Sequence, residues 1–454
     1  MDAKDLRRLR PELEMFLDHY LPLFGRPESQ GHAGRFVQGL LAGGDRRNIE
    51  NIAETINGAV PRSMQKFLGQ GCWQDRRILD ELAVQVSETL GDEDAVLNID
   101  ETGFPKKGTK SVGVKRQYAG ILGRTDNCQI AVFINYCSAL GHTLLDRRLF
   151  LPEEWAADGE RREKAGVPEG VIFRSKAELG LEMVESAARA GVPFRWVGGD
   201  SLYGDSPTFV QGVRLLEKWY VLDTSSNARV WTSEPTLRSL GKGSGGGRPR
   251  TKPKAIEKPV SVAELIAALP SQRWKRITVA EGSQGPRVYE YTERTVWFSE
   301  EGSPAAEPER LLLRRSLGQD PQIKYQRCNA PAEVPLSKLA QVGGGRWSIE
   351  QDFQAAKGEC GLDEYETRGW VGWHHHTCLS MLAKFFLVLQ RQRLEKKRTA
   401  DDRPRSPRRT PAFARPSVLG RRGDPRPLPA PPKAKPSVKG MSYSETCRRK
   451  PAAK

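Results

Sequence analysis

Two short apolar runs, residues 95–99 and 194–199, each end on an aspartate, Asp100 and Asp200. Runs of this length and composition read as buried strands. Between them, Ser175 and Glu178 stand at capping-box spacing and open a helix predicted through Ala190, closed by Gly191 and Pro193. Residues 129–137 and 143–151 are further extended stretches, Ser206 and Pro207 start another helix, and residues 220–222 resemble another strand. Strands followed by strand–helix alternation predict an α/β fold, a mixed sheet with flanking helices. A carboxylate just past a buried strand is held rigidly at the sheet edge, within reach of solvent and ligand.

The rest of the chain divides by composition. Residues 1–90 read as a helical N-terminal region: Leu13, Phe16, Leu17 and Tyr20 share one helical face, and Ile49, Ile52, Ala53 and Ile56 another. The neighbouring cluster of Asp45, Arg46 and Arg47 offers a possible DNA contact. Residues 91–225 form the first part of the core and 340–398 the second. Between them, 226–339 is a β-rich insertion that carries a basic Gly/Pro linker at 241–254. Residues 399–454 have no periodicity and are expected to be a disordered basic tail. The chain holds 72 Lys+Arg against 56 Asp+Glu, a net charge of +16 that suggests a polyanionic partner. Residues 391–454 contain 20 basic and 5 acidic residues, so +15 of that charge lies there and +1 in residues 1–390. The body is therefore nearly neutral, and its basic balance says little.

Several classes are excluded. A hydrophobic content of 38% with 10 Trp and 15 Phe is too high for a disordered chain. The longest apolar stretch, 379–389, carries Lys384 and is read as a buried helix, with no membrane span. No apolar signal segment stands at the N-terminus, and seven scattered cysteines fit a reducing cytosol rather than a disulfide framework.

A third acid joins the two aspartates. After Gly343, Gly344 and Gly345, read as a helix start, Arg346, Glu350, Phe353 and Lys357 fall on one helical stripe. An apolar Phe353 among charges fits a partly buried site better than a solvated ladder. Carboxylates suit hard cations such as Mg²⁺ or Mn²⁺, and two ions about 3.5–4 Å apart can stabilise both the attacking and the leaving oxygen of a phosphodiester. Weaker signals are set aside. Thr109 stands where a P-loop needs lysine. His374, His375, His376 and Cys378 lack metal-ligand spacing and read as structural. Lys106 and Lys107, with Lys110, Lys115 and Arg116, follow the first aspartate and are candidate DNA contacts. Trp274 and Trp297 in the insertion are read as core.

The three motifs together resemble the DDE transposases of bacterial insertion sequences, from the superfamily with a Y-x2-R-x3-E-x6-K helix, and among them the 701 group. The resemblance rests on residues 97–108 around Asp100, 196–204 around Asp200, and Arg346 through Lys357; residues 361–366 and 372–376 also look like that group. It covers most of 30–395. It implies a ribonuclease-H-like core, with Asp100, Asp200 and Glu350 as catalytic residues that bind two metal ions. Arg346 and Lys357 would bind transposon-end phosphates. The signature tyrosine position is Gly343, a departure from the pattern. The implied function is metal-dependent cleavage of double-stranded DNA at transposon ends and strand transfer into target DNA. The enzyme would be cytoplasmic, nucleoid-associated, and a homodimer when synapsed on DNA. An inactive DNA-binding relative, or a metal-dependent nuclease without strand transfer, are the alternatives.

Overall fold

Five α-helices precede the first strand in the computed structural model, which describes residues 3–43, 46–238, 254–267, 273–282 and 285–401. They are α1 (Ala3–Asp18), α2 (Pro27–Leu41), α3 (Ile49–Thr55), α4 (Pro61–Gln70) and α5 (Asp75–Leu90). Leu13, Phe16, Leu17, Tyr20 and Ile52 are all buried, because spacings of three and four share one helical face. Strands β1 (Val96–Pro105), β2 (Lys115–Ala119), β3 (Arg124–Ser138) and β4 (Gly141–Leu149) follow. Helices α6 (Glu153–Ala157), α7 (Gly159–Ala165) and α8 (Lys176–Arg189) come next. Ser175 and Glu178 cap α8 reciprocally, each side chain on the other's backbone N–H. Strand β5 (Trp196–Gly199), helices α9 (Ser201–Gly204) and α10 (Pro207–Leu215), and β6 (Trp219–Thr224) continue the alternation.

The next segment is mostly extended. It contains β7 (Arg229–Trp231), β8 (Leu237–Arg238), β9 (Lys254–Ala255), β10 (Val260–Ser261), the short α11 (Val262–Ala267), β11 (Lys275–Gly282), β12 (Gly285–Glu300), β13 (Ser303–Pro304), β14 (Glu309–Arg315) and β15 (Ile323–Cys328). The chain then returns as α12 (Leu336–Gly345), α13 (Trp347–Cys360) and α14 (Trp370–Asp401). The last of these starts earlier and runs further than the periodicity at 377–393. Most of the linker at 241–254, and the tail from 402 onward, lie outside the described residues.

One mixed sheet organises the fold. Its central order is β4–β3–β1–β5–β6, with β3 antiparallel to both neighbours and β1, β5 and β6 parallel. Strands β15, β14 and β12 extend the sheet from β6 by antiparallel pairing. The β-rich segment therefore shares a sheet with the central strands. Alternation along β1 splits its side chains between two layers. Asn98 and Thr102 contact residues of α13 and Asp100 contacts Arg346 at its N-cap, whereas Ile99 lies against Gly180 of α8 and Glu101 pairs with Lys176 of the same helix.

Helix α14 is the apolar pillar behind these layers. Its histidines serve as packing and hydrogen-bonding groups: His375 stacks on Trp73 at 3.6 Å, and His376 bonds the Gly361 carbonyl at 2.8 Å. Burial holds His376 down to about 4, with Lys106 adding to the effect and the Gly361 carbonyl opposing it. Burial and then Arg147 hold His374 down to about 3. Unfolded histidine binds a proton near pH 6.5, so below that the unfolded chain binds more protons and stability falls with pH. At pH 5 each of the two is expected to cost about 2 kcal/mol relative to pH 7. Urea midpoints measured between pH 7 and pH 5 check this, and a His376→Gln variant is expected to show a flatter profile.

Candidate active site

Parallel pairing of β1 with β5 runs from Val96↔Trp196 to Ile99↔Gly199, and that of β5 with β6 from Trp196↔Trp219 to Gly199↔Leu222. The next residue on each of three adjacent strands is an aspartate: Asp100, Asp200 and Asp223. Carboxyl ends of parallel strands are where open α/β sheets hold their ligands. The sequence expectation that Asp100 ends its strand needs correcting. Residues 101–105 go on pairing with β3, from Glu101↔Val132 to Pro105↔Cys128. That ladder outweighs the turn-like composition of the segment, so Asp100 lies within β1 at the point where β5 leaves it. Asp200 takes the N-cap of α9, its Oδ1 accepting from the Leu202 N–H at 3.0 Å. Asp223 was not anticipated. It follows the apolar residues 220–222, the same pattern that marked the other two aspartates.

Helix α13 brings the fourth carboxylate. The Arg346 guanidinium, at its N-cap, donates to Asp100 Oδ2 at 2.8 Å and lies 3.4 Å from Glu350 Oε1 and 4.0 Å from Asp223 Oδ2. One cation thus joins three carboxylates. Glu350 keeps half its side chain in solvent, 52% against 19% for Arg346. Gly343, Gly344 and Gly345 belong to the last turn of α12 and do not start α13. A Cβ at 343 would stand 2.7 Å from Gln326 Oε1 and 3.0 Å from Val221. No tyrosine fits there, and Gln326 instead donates to Asp223 at 2.8 Å.

The stripe on α13 lies along β1. Phe353 packs edge-on against Phe133, and Lys357 Nζ donates to Thr102 Oγ1 at 2.8 Å and to the Gly103 carbonyl at 3.2 Å. Beyond the strand, Lys106 sits 3.6 Å over the Tyr365 ring, and burial pushes its ammonium down to about 8. Lys107 is exposed. Of the cations expected at the site, Arg346 alone touches the acidic cluster.

Burial pushes the Asp100 carboxyl up to about 7, with Arg346 pulling it down and Asp200 and Glu101 pushing it further up. Asp200 is also raised, first by burial and then by Glu101, with Asp223 adding to it. Acids that raise one another in a buried cluster need a compensating cation. Among the described residues, no three carboxylate, histidine or cysteine side chains converge closely enough to hold one metal ion. In this arrangement the guanidinium supplies the charge. The oxygen-only donor set nevertheless has the chemistry that hard divalent cations select.

A family model described as DDE superfamily endonuclease matches residues 19–286, more than half of the chain. The chain belongs to this family. The matched part of this DDE endonuclease includes Asp100, Asp200 and Asp223; Glu350 lies beyond it. The chain is also similar, at 28% identity over 195 residues, to the probable transposase for insertion sequence element IS701 from Microchaete diplosiphon. That match covers 42% of this chain and 48% of the relative, about half of its length. The NurA nuclease from Sulfolobus solfataricus aligns with 73% of this chain and 94% of its own at 9% identity and a TM-score of 0.23. At that score it decides nothing about the fold. Divalent metal ions are typical of DDE endonucleases. Among the described residues, no helix is long and apolar enough to cross a membrane.

Proposed function

We propose that this DDE endonuclease is a transposase that cleaves DNA at transposon ends and joins the freed 3′-hydroxyl to target DNA. The observation that carries this reading is the row Asp100, Asp200 and Asp223 on adjacent strands, facing Glu350 across one arginine. The order β4–β3–β1–β5–β6, with β3 alone reversed, supports a ribonuclease-H-like core. In this reading 91–225 and 340–398 are its two parts, 226–339 is inserted between them, and 1–90 and the basic tail contact DNA. Two chains would synapse two ends on the bacterial chromosome.

Asp100, Asp200 and Glu350 would hold two divalent ions. When bound, such ions stabilise the attacking and leaving oxygens of a phosphodiester. The chain itself supplies the rest. The sheet fixes two of the carboxylates, and α13 carries the third on a helix tied to the same strand by Lys357. Arg346, which donates to Asp100, is the cation placed to grip a phosphate beside these carboxylates. The test is a Mg²⁺-dependent assay on labelled element ends with their flanking DNA. Joined products are expected. Nicked products alone would mean a nuclease, and bound but intact DNA an inactive relative; either result overturns the proposal.

A further inference from the structure

The segment 365–369 runs along the floor of three neighbouring cavities, all lined by Thr367. The largest, about 770 Å³, opens between the loop after β1 and this segment, and one of about 380 Å³ opens between the segment and α4. The third, about 480 Å³, reaches beneath α3. Together they make a trough that joins the helical region to the end of β1. Six cations line it: the exposed Arg46, Arg62, Lys66, Lys107 and Lys110, and the half-buried Arg368. Among the described residues, none of the six is in an ion pair or donates a side-chain hydrogen bond.

Their freedom contrasts with the cations beside them. Arg47 is spent on Glu364 and the Leu40 carbonyl, and Lys106 on the Tyr365 ring. Glu50 and Glu366 also face the trough, and Glu366 accepts from Asn48. Six unpaired cations against two acids is a concentration of charge on a body whose net charge over residues 1–390 is +1. Like charges gathered on one surface repel one another and raise the local concentration of polyanions, and a phosphate backbone laid along them relieves that repulsion.

We propose that this trough grips the phosphates of duplex DNA away from the reaction centre, an inference that rests on the DNA-cleaving reading of the site. Lys106 lies six residue steps beyond Asp100, just past the end of β1, about 20 Å at roughly 3.3 Å per step. At about 3.4 Å per base step along a strand, that is some six base pairs from the phosphate held at Asp100. Lys357 lies between the two, on Thr102 and Gly103. The trough reads no sequence. It sets the line along which the duplex enters.

The test uses the full chain, a labelled 40-base-pair duplex of arbitrary sequence as probe, and anisotropy over a range of salt. The variant Arg62→Ala/Lys66→Ala/Arg368→Ala is expected to flatten the slope of log K against log salt by about 0.9 per lost contact, about 2.7 in all. The corresponding Arg→Lys changes at 62 and 368, with Lys66 intact, should restore the slope. An unchanged melting temperature would show that the triple variant folds. An unchanged slope in the folded variant overturns the inference, as does a loss that lysine fails to restore. The two proposals fail separately. A flattened slope without cleavage of any DNA by the wild type would leave the trough standing and sink the transposase reading; cleavage with an unchanged slope would sink the trough alone.

Discussion

Replacing Asp100 by asparagine is expected to lower cleavage of element ends by at least about three orders of magnitude, since members of a catalytic unit fail together. Binding of the same DNA should stay within about threefold, because phosphate contacts dominate affinity. The substitution suits the test because it removes the charge and one accepted hydrogen bond without changing the side chain's size. Asparagine has the shape of aspartate, and its one oxygen can keep either the 2.8 Å bond that Oδ2 takes from Arg346 Nη1 or the 2.8 Å bond that Oδ1 takes from the Glu101 N–H. Burial pushes the Asp100 carboxyl up to about 7, so near neutral pH its uncharged form is well populated and the neutral amide is close to it. The guanidinium keeps Asp223 and Glu350 within 4.0 Å. Thermal melting should therefore move little. Gel assays of cleavage and shift, run with a melting curve, decide the matter. Cleavage within tenfold of wild type would remove Asp100 from the chemistry, and loss of both binding and melting would show a structural role instead.

How much of this was legible in the sequence depends on how local each signal is. The cap at Ser175 and Glu178 involves four consecutive residues, and the structure has it as the sequence implies. The strands around Asp100 and Asp200 announced themselves as apolar runs between breakers. The length of β1 did not, because what extends it to Pro105 is β3, a partner some thirty residues away. Asp223 carried the same local mark as the other aspartates. It went unread because residues 220–222 form so short a run. The stripe from Arg346 to Lys357 was visible as spacing, yet spacing cannot tell a cation facing solvent from one tied to a strand, as Lys357 is to Thr102. The triple glycine looked like a helix start. Its true constraint is tertiary: Val279 of β11 lies 2.8 Å from where a Cβ of Gly344 would be. Lys384, in an otherwise apolar helical stretch, was a buried cation without a visible partner. That partner, Asp352, sits two residues from Glu350.

Asp352→Leu is expected to destabilise the protein by about 3–5 kcal/mol, the range for removing one partner of a buried ion pair. Asp352 is fully buried on α13. Its Oδ1 takes Lys384 Nζ at 2.9 Å and His142 Nδ1 at 2.9 Å, and its Oδ2 accepts from Asn135 Nδ2 at 3.0 Å. Asn135 also donates to Ser348 at 2.9 Å, and Asn98, two residues before Asp100, donates to both Asn135 and Ser348. Burial alone would raise the carboxyl; His142 and Lys384 hold it below the usual carboxylate range. Leucine would leave Lys384, 5% exposed, as an uncompensated charge in the core. The double variant Asp352→Leu/Lys384→Met removes both charges and should recover about 2–3 kcal/mol, a coupling typical of contacting residues. Urea unfolding of the four proteins in this cycle gives that coupling directly, and additive losses would refute it. Recovery of stability is expected to bring cleavage back with it. Ser348 still holds Asn98 and Asn135 in the double variant, and Lys357 still holds Thr102, so α13 stays tied to β1 and Glu350 and Arg346 keep their position over Asp100.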